Sequence, residues 1–333
     1  MKFGIFDHVD RGTAPLNEFY EDRLKLAEKY DQAGFYAYHT AEHHATTLGM
    51  ASSPSVYLSA VAQRTKRLRF GPLVYVLPQY HPVRLYEEIC MLDQMSGGRL
   101  EVGVGKGISS IESSYYGLDP EEVTAMYQEY YQFLLAAMKS DEVTFVGKYF
   151  SVNHMPIEMK PLQQPHPPLW NGFGNPNATA WPAENAINII SNHNAETMRT
   201  ITDAYRAEWH RLGRDLDDIP MMGMTRFLVI AGTDDAALAI ARRIYPIWYA
   251  SFMKLWWRHD KIPPLAVYTE DFDGVVASGL AIAGSAKTVH DILTDHIEDG
   301  GINYFVCRFA FGNITYQEAA YSIDAFNEMF LSN

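Results

Sequence analysis

Short β-forming runs alternate with amphipathic helical runs from one end of this chain to the other, and that rhythm narrows the fold more than any single motif. Phe3–Phe6 reads as a strand; Leu16–Gly34 follows with apolar residues at helical spacing and a glycine where the helix should stop. The succession repeats with Tyr36–His39, then a helix opened by Ser53 and Pro54, where a hydroxyl can cap free N–H groups and proline loses no bond. Leu68–Val76 precedes the helix Val83–Met95, and Leu100–Val104 precedes Pro120–Met138. Later strands read at Leu169–Asn171, Ile187–Ile190, Thr225–Ile230 and Tyr304–Arg308, with helices at Thr197–Leu212, Asp234–Tyr249 and Tyr316–Leu331. Glu142–Val152, centred on Gly147-Lys148, reads as an inserted hairpin. Eight strand–helix units without a linker predict an α/β fold, a (β/α)8 TIM barrel making one domain of residues 1–333.

One stretch breaks the rhythm. Ala250–Ala283 holds Trp256, Trp257, the pair Pro263-Pro264 and an acidic cluster from Glu270 to Asp273. A connection this long inside a domain is expected to be a lid at the C-terminal mouth of the barrel, with a dimer contact as the alternative.

Composition sets outer bounds. With 47% hydrophobic residues the chain can fill a large core, and a net charge of −13 opposes nucleic acid and anionic membranes. Any phosphate must therefore be held by local donors. The opening MKFGIFDHVDRG lacks the apolar run of a secretory leader, and Phe133–Met138 is too short to cross a bilayer. Cys90 and Cys307 stand alone, so neither a disulfide framework nor structural zinc is expected, and a reduced, cytoplasmic protein is.

Three loops at strand ends carry candidate chemistry. Glu42-His43-His44 follows the second strand and should stand at the mouth. Adjacent side chains in an extended segment diverge, so the two histidines should do different work and not share a metal. Taken alone, the tripeptide reads more readily as histidines packing a loop. Gly103–Gly107 resembles a nucleotide loop but has Gly107 where a P-loop needs Ser or Thr, and Ile108 at the third dinucleotide glycine. It leaves one ammonium, Lys106, and backbone N–H groups suited to an anion. Gly172–Thr179, rich in Gly and Asn before a helix, suits either capping or phosphate binding. No Gly-x-Ser-x-Gly elbow is present.

The segment YHPVRLYEEICMLDQMSGGR at Tyr80–Arg99, with VLP just upstream, resembles the most characteristic stretch of bacterial luciferase and its flavin-dependent relatives. The opening MKFGIF, the EHH tripeptide, the fourth-strand glycine loop and the late AGSAKTV…GGINYF segment follow in that family's order, so the resemblance spans the chain. It implies a monooxygenase that takes reduced FMN from a separate reductase and uses O2, through a flavin hydroperoxide, to oxidise a small-molecule substrate. A homodimer is implied, pairing through the helices near Pro54–Thr65 and Val83–Met95.

Position by position, the resemblance makes His43 the active-site histidine. It places a cis peptide between Leu73 and Val74 under the flavin ring, and gives Lys106 the phosphate. Gly174, Asn175, Asn177, Ala178 and Thr179 fall on the same phosphate loop. Gly105 stands where luciferase has a reactive cysteine, and His193 where it has a pocket tryptophan. Both departures touch the substrate side, so a substrate other than a long-chain aldehyde is expected. A deazaflavin-dependent hydride-transfer enzyme and a non-catalytic flavin-binding protein are the competing readings.

Overall fold

The computed structural model describes residues 1–264 and 268–332. Twelve strands occur among them: β1 (Lys2–Asp7), β2 (Ala37–Thr40), β3 (Arg69–Pro72), β4 (Tyr75–Val76), β5 (Val102–Gly105), β6 (Glu142–Val146), β7 (Ser151–Pro156), β8 (Leu169–Gly172), β9 (Asn188–Ser191), β10 (Met222–Ile230), β11 (Ala281–Gly284) and β12 (Tyr304–Arg308). The main sheet runs β3-β2-β1-β12-β10-β9-β8-β5-β4 with every pair parallel. A bridge between Phe70 and Leu100 joins its two ends, so β1, β2, β3, β5, β8, β9, β10 and β12 form a nearly closed eight-stave barrel. The β6–β7 hairpin stands apart as an antiparallel pair, as its sequence predicts.

The ends meet because two glycines let backbones touch. A β-carbon on Gly71 would lie 1.9 Å from the Glu101 carbonyl oxygen, and one on Gly103 would lie 2.3 Å from that of Pro72. Inside the barrel Phe6, Leu73, Trp170, Ile190, Tyr304 and Val306 pack together, and a β-carbon on Gly4 would meet the Tyr304 hydroxyl. Glu101, fully buried, accepts hydrogen bonds from Arg69, Tyr36 and the Trp170 indole. Burial raises its carboxyl above the ordinary value, and Arg69 opposes that rise.

The stretch expected to be one irregular lid is built differently. The helix expected to end at Tyr249 continues as Asp234–Arg258, through Pro246, with Trp256 buried against Ile111 and Leu255. Beyond it, Phe272–Ala277 is a short helix and Ala281–Gly284 is strand β11, paired along Phe227–Ile230 of β10. Among the described residues of this stretch, irregular backbone covers 259–264, 268–271 and 278–280; the lid's residues 265–267 lie outside the described residues. No helix among the described residues is long and apolar enough to cross a membrane.

Just past the end of β1, Asp10 is fully buried, accepting the Gly312 N–H at 2.7 Å with Arg23 at 3.6 Å. Burial pushes its carboxyl up to about 7, while Arg23 pulls it down and Asp7 pushes it up. A carboxyl raised on folding binds its proton more tightly in the native state. Its stabilisation is thus complete below the unfolded value near 3.8 and lost as pH rises through about 7. Wild type should lose roughly 2–3 kcal/mol relative to Asp10→Asn between pH 5 and pH 8, measured by urea unfolding. Parallel pH profiles for the two proteins would contradict this.

Candidate active site

The strand ends enclose a cavity of about 820 Å³, at the large end of ligand sites. His43, Leu73, Val74, Lys106, Gly174, Asn175 and His193 all line it, drawn from five different strand ends. Asn177, Ala178 and Thr179 do not. Asn177 and Ala178 face outward, and the buried Thr179 hydroxyl donates to the Pro176 carbonyl at 3.2 Å.

The two histidines part as their adjacency requires. Glu42 anchors the turn: its buried carboxylate accepts the Val76 N–H and the His44 Nε2–H, both at 2.9 Å. His44 Nδ1 then accepts the Tyr116 hydroxyl at 2.8 Å, and the ring packs edge-on against Tyr116, away from the cavity. His43 instead pairs through Nδ1 with Glu112 at 3.1 Å, while the other Glu112 oxygen accepts the His44 N–H at 2.7 Å. Burial alone would raise Glu112; the charge and hydrogen bond of His43, with the His44 N–H, outweigh it and hold the carboxyl below its ordinary value. An ionised Glu112 keeps the proton on His43 Nδ1, leaving Nε2 free to exchange one.

Glu112 carried a sequence signal that points elsewhere. Ser109-x-x-Glu112 is the spacing of a capping box, and Ser109 does accept the Glu112 N–H at 3.1 Å. The Glu112 side chain, however, reaches His43. His8 was not foreseen at all. It lies 5.9 Å from His43 ring to ring, and its Nδ1 accepts the Trp248 indole N–H at 3.4 Å. Burial first, then the charges of Arg308 and His43, lower its pKa well below the ordinary value, so it is neutral.

On the third-strand flank the Leu73–Val74 peptide is cis. A β-carbon on Gly105 would lie 2.5 Å from Val74 Cγ2, so a cysteine cannot stand there unless Val74 moves. One on Gly174 would lie 2.9 Å from His193 Nε2. Lys106 is exposed and reaches the Thr124 hydroxyl at 3.3 Å. The amide oxygens of Asn171 and Gln79, both on the cavity wall, are buried and have no partner among the described residues. Among the described residues no cluster of three or more metal-capable side chains occurs.

Residues 1–303 match the family model described as luciferase-like monooxygenase. The uncharacterised protein y4wF of Sinorhizobium fredii is 40% identical over 324 residues, 97% of this chain and 94% of that protein. The oxygenase component of the flavin-dependent trigonelline monooxygenase of Acinetobacter baylyi is 29% identical over 57% of this chain and 53% of its own length. The monooxygenase RslO1 from Streptomyces bottropensis superimposes with a TM-score of 0.88 at 22% identity, covering 100% of this chain and 99% of that one. This chain belongs to the luciferase-like monooxygenase family.

Proposed function

We propose that this chain is the oxygenase component of a two-component monooxygenase, taking reduced FMN from a separate reductase and using O2 to oxidise a small organic substrate. The observation that carries the reading is one cavity bordered by both a proton-handling pair, His43–Glu112, and a cationic, glycine-cleared loop, Gly105–Gly107 with Lys106. The residues suit FMN. Lys106 and Asn175 would hold the phosphate, and the unpartnered oxygens of Asn171 and Gln79 would accept N–H or hydroxyl donors of the flavin. Bound there in reduced form, FMN would supply the activation of dioxygen.

The chain's own part is position, exclusion of water and proton transfer. His43 Nε2 handles the proton and Glu112 fixes the imidazole. Phe252, Trp256, Pro263 and Tyr268, all from the 250–283 stretch, line the cavity, which supports reading that stretch as a lid within this single domain. Exposed Val56, Met91 and Met95 on the helices Pro54–Arg64 and Pro82–Ser96 support a homodimer, and two free, buried cysteines support a cytoplasmic setting.

The test is oxygen consumption after anaerobic loading with reduced FMN or with reduced deazaflavin. Consumption with FMN alone is expected; hydride transfer from the deazaflavin without oxygen uptake would replace this reading. Lys106→Ala should weaken FMN by about 1.5–3 kcal/mol and riboflavin far less, the scale of one charged hydrogen bond. Equal losses for both ligands would remove the phosphate assignment.

A further inference from the structure

Opposite the flank of Val74 and Lys106, behind the residues that line the cavity, lies a charge that no mechanism above uses. Arg308, at the end of β12, is 2% exposed and lies between the rings of Phe6 and Phe227, at 4.9 and 4.8 Å. Its hydrogen bonds all go to neutral groups. One terminal nitrogen donates to Asn192 Oδ1 at 2.6 Å and Thr225 Oγ1 at 2.7 Å, the other to the Tyr268 hydroxyl at 3.1 Å, and Nε has no partner. It forms no salt bridge among the described residues, in a chain with 40 acidic residues against 27 basic ones. Buried charges are ordinarily paired, because leaving one unpaired costs several kcal/mol. Scarcity of acids does not explain this exception.

The groups around Arg308 are turned the same way. Asn192 Oδ1 accepts both from Arg308 and from the Thr225 hydroxyl, which points the Asn192 amide N–H groups away from them; no protein acceptor takes those N–H groups among the described residues. The Tyr268 oxygen accepts from Arg308, leaving its own proton to donate. His8 accepts at Nδ1 from Trp248, so its proton sits on Nε2. Asn192, Tyr268 and His8 all line the cavity. Three donors backed by an uncompensated guanidinium make a site for an oxygen anion. By topology, β10, which carries Thr225, is four staves from β3 and its cis peptide in a ring of eight, while Asn192 follows β9, next to β8.

We infer that this end of the cavity is a substrate subsite for a carboxylate, held by Asn192, His8 and Tyr268 with the charge of Arg308 behind them. The substrate is then a small organic acid, oriented with its carboxylate towards β9, β10 and β12 and its reacting carbon towards His43. The fate of that carbon rests on the monooxygenase reading; the binding does not.

Isothermal titration of the FMN-loaded full chain with benzoate, phenylacetate and 3-phenylpropionate, each against its primary amide, tests the subsite. At least one carboxylate should bind about tenfold more tightly than its amide. Asn192→Leu and Arg308→Gln should each erase that preference, and Lys287→Gln, at an exposed lysine outside the cavity, should keep it. Amides binding as well as every acid would overturn the inference, as would a preference that survives in Asn192→Leu; the second variant matters because Arg308 is buried. A loss of reduced-FMN affinity in Asn192→Leu with carboxylate preference intact would assign the donors to the flavin and overturn it too. Carboxylate preference without oxygen consumption would keep the subsite and remove the monooxygenase; oxygen consumption without preference would do the reverse.

Discussion

His43→Ala is expected to bind FMN as the wild type does and to lose product formation by about 10²–10⁴-fold, the usual contribution of a general acid–base group. Reduced flavin should still be consumed, draining to hydrogen peroxide. The reason is the division of labour at Glu42–His44. His43 lines the cavity with Nδ1 held by Glu112, whereas His44 is spent between Glu42 and Tyr116. Single-turnover oxidation, following flavin absorbance and peroxide together, reads both quantities. His44→Ala should remain largely coupled, losing at most what a loosened turn costs. If His44→Ala is the dead variant and His43→Ala stays coupled, the catalytic assignment fails.

Gly71→Ala is expected to lose about 3 kcal/mol or more of unfolding free energy, or to fail to fold. Overpacking inside a tight structure costs roughly 1–3 kcal/mol where side chains can yield. Here the new methyl would meet the backbone carbonyl of Glu101, oxygen at 1.9 Å and carbon at 2.7 Å, and backbone yields far less. The shift would also reach the buried Glu101 and its bonds to Arg69, Tyr36 and Trp170. Gly172→Ala is the control, because its β-carbon meets nothing within 4 Å. Urea unfolding that places Gly71→Ala within about 1 kcal/mol of Gly172→Ala would show that the barrel seam is softer than this contact implies.

The barrel itself was legible because strands covered on both faces read as short, nearly continuous apolar runs, and all eight staves fall where those runs are. The strand that escaped notice, β11, is Ala-Ile-Ala-Gly, with one β-branched residue and too little length to announce itself. The helix after Thr233 outran its expected end because Pro246 did not stop it and no glycine follows until Gly274. His43 and Lys106, which line the cavity, are singled out by the resemblance to the family; their local spacing alone leaves loop packing open. Thr179 was misplaced because a capping hydroxyl and a phosphate ligand look alike in sequence, and here it does neither. Glu112 and His8 lie 69 and 35 residues from His43, and Arg308 lies 116 residues from Asn192; only the barrel brings each pair together. No local pattern can report such a meeting.

Strand β10 belongs to two surfaces at once. Its first residues, Met222–Met224, pair with β9 in the ring, but Phe227–Ile230 turn out to pair with β11. The seam between β9 and β10 is therefore unlaced above Met224, and Asn192 and Thr225 sit just past the last stitch. The opposite flank is laced by a single bridge but is held by close approach: Val74 sits against Gly105, and Gly71 and Gly103 let the backbones touch. A side chain added at Gly105 would force Val74 to move, whereas Asn192 and Thr225 can be exchanged without breaking a backbone pair. The contents of this cavity are therefore easier to alter from the β9–β10 side than from the β5 side.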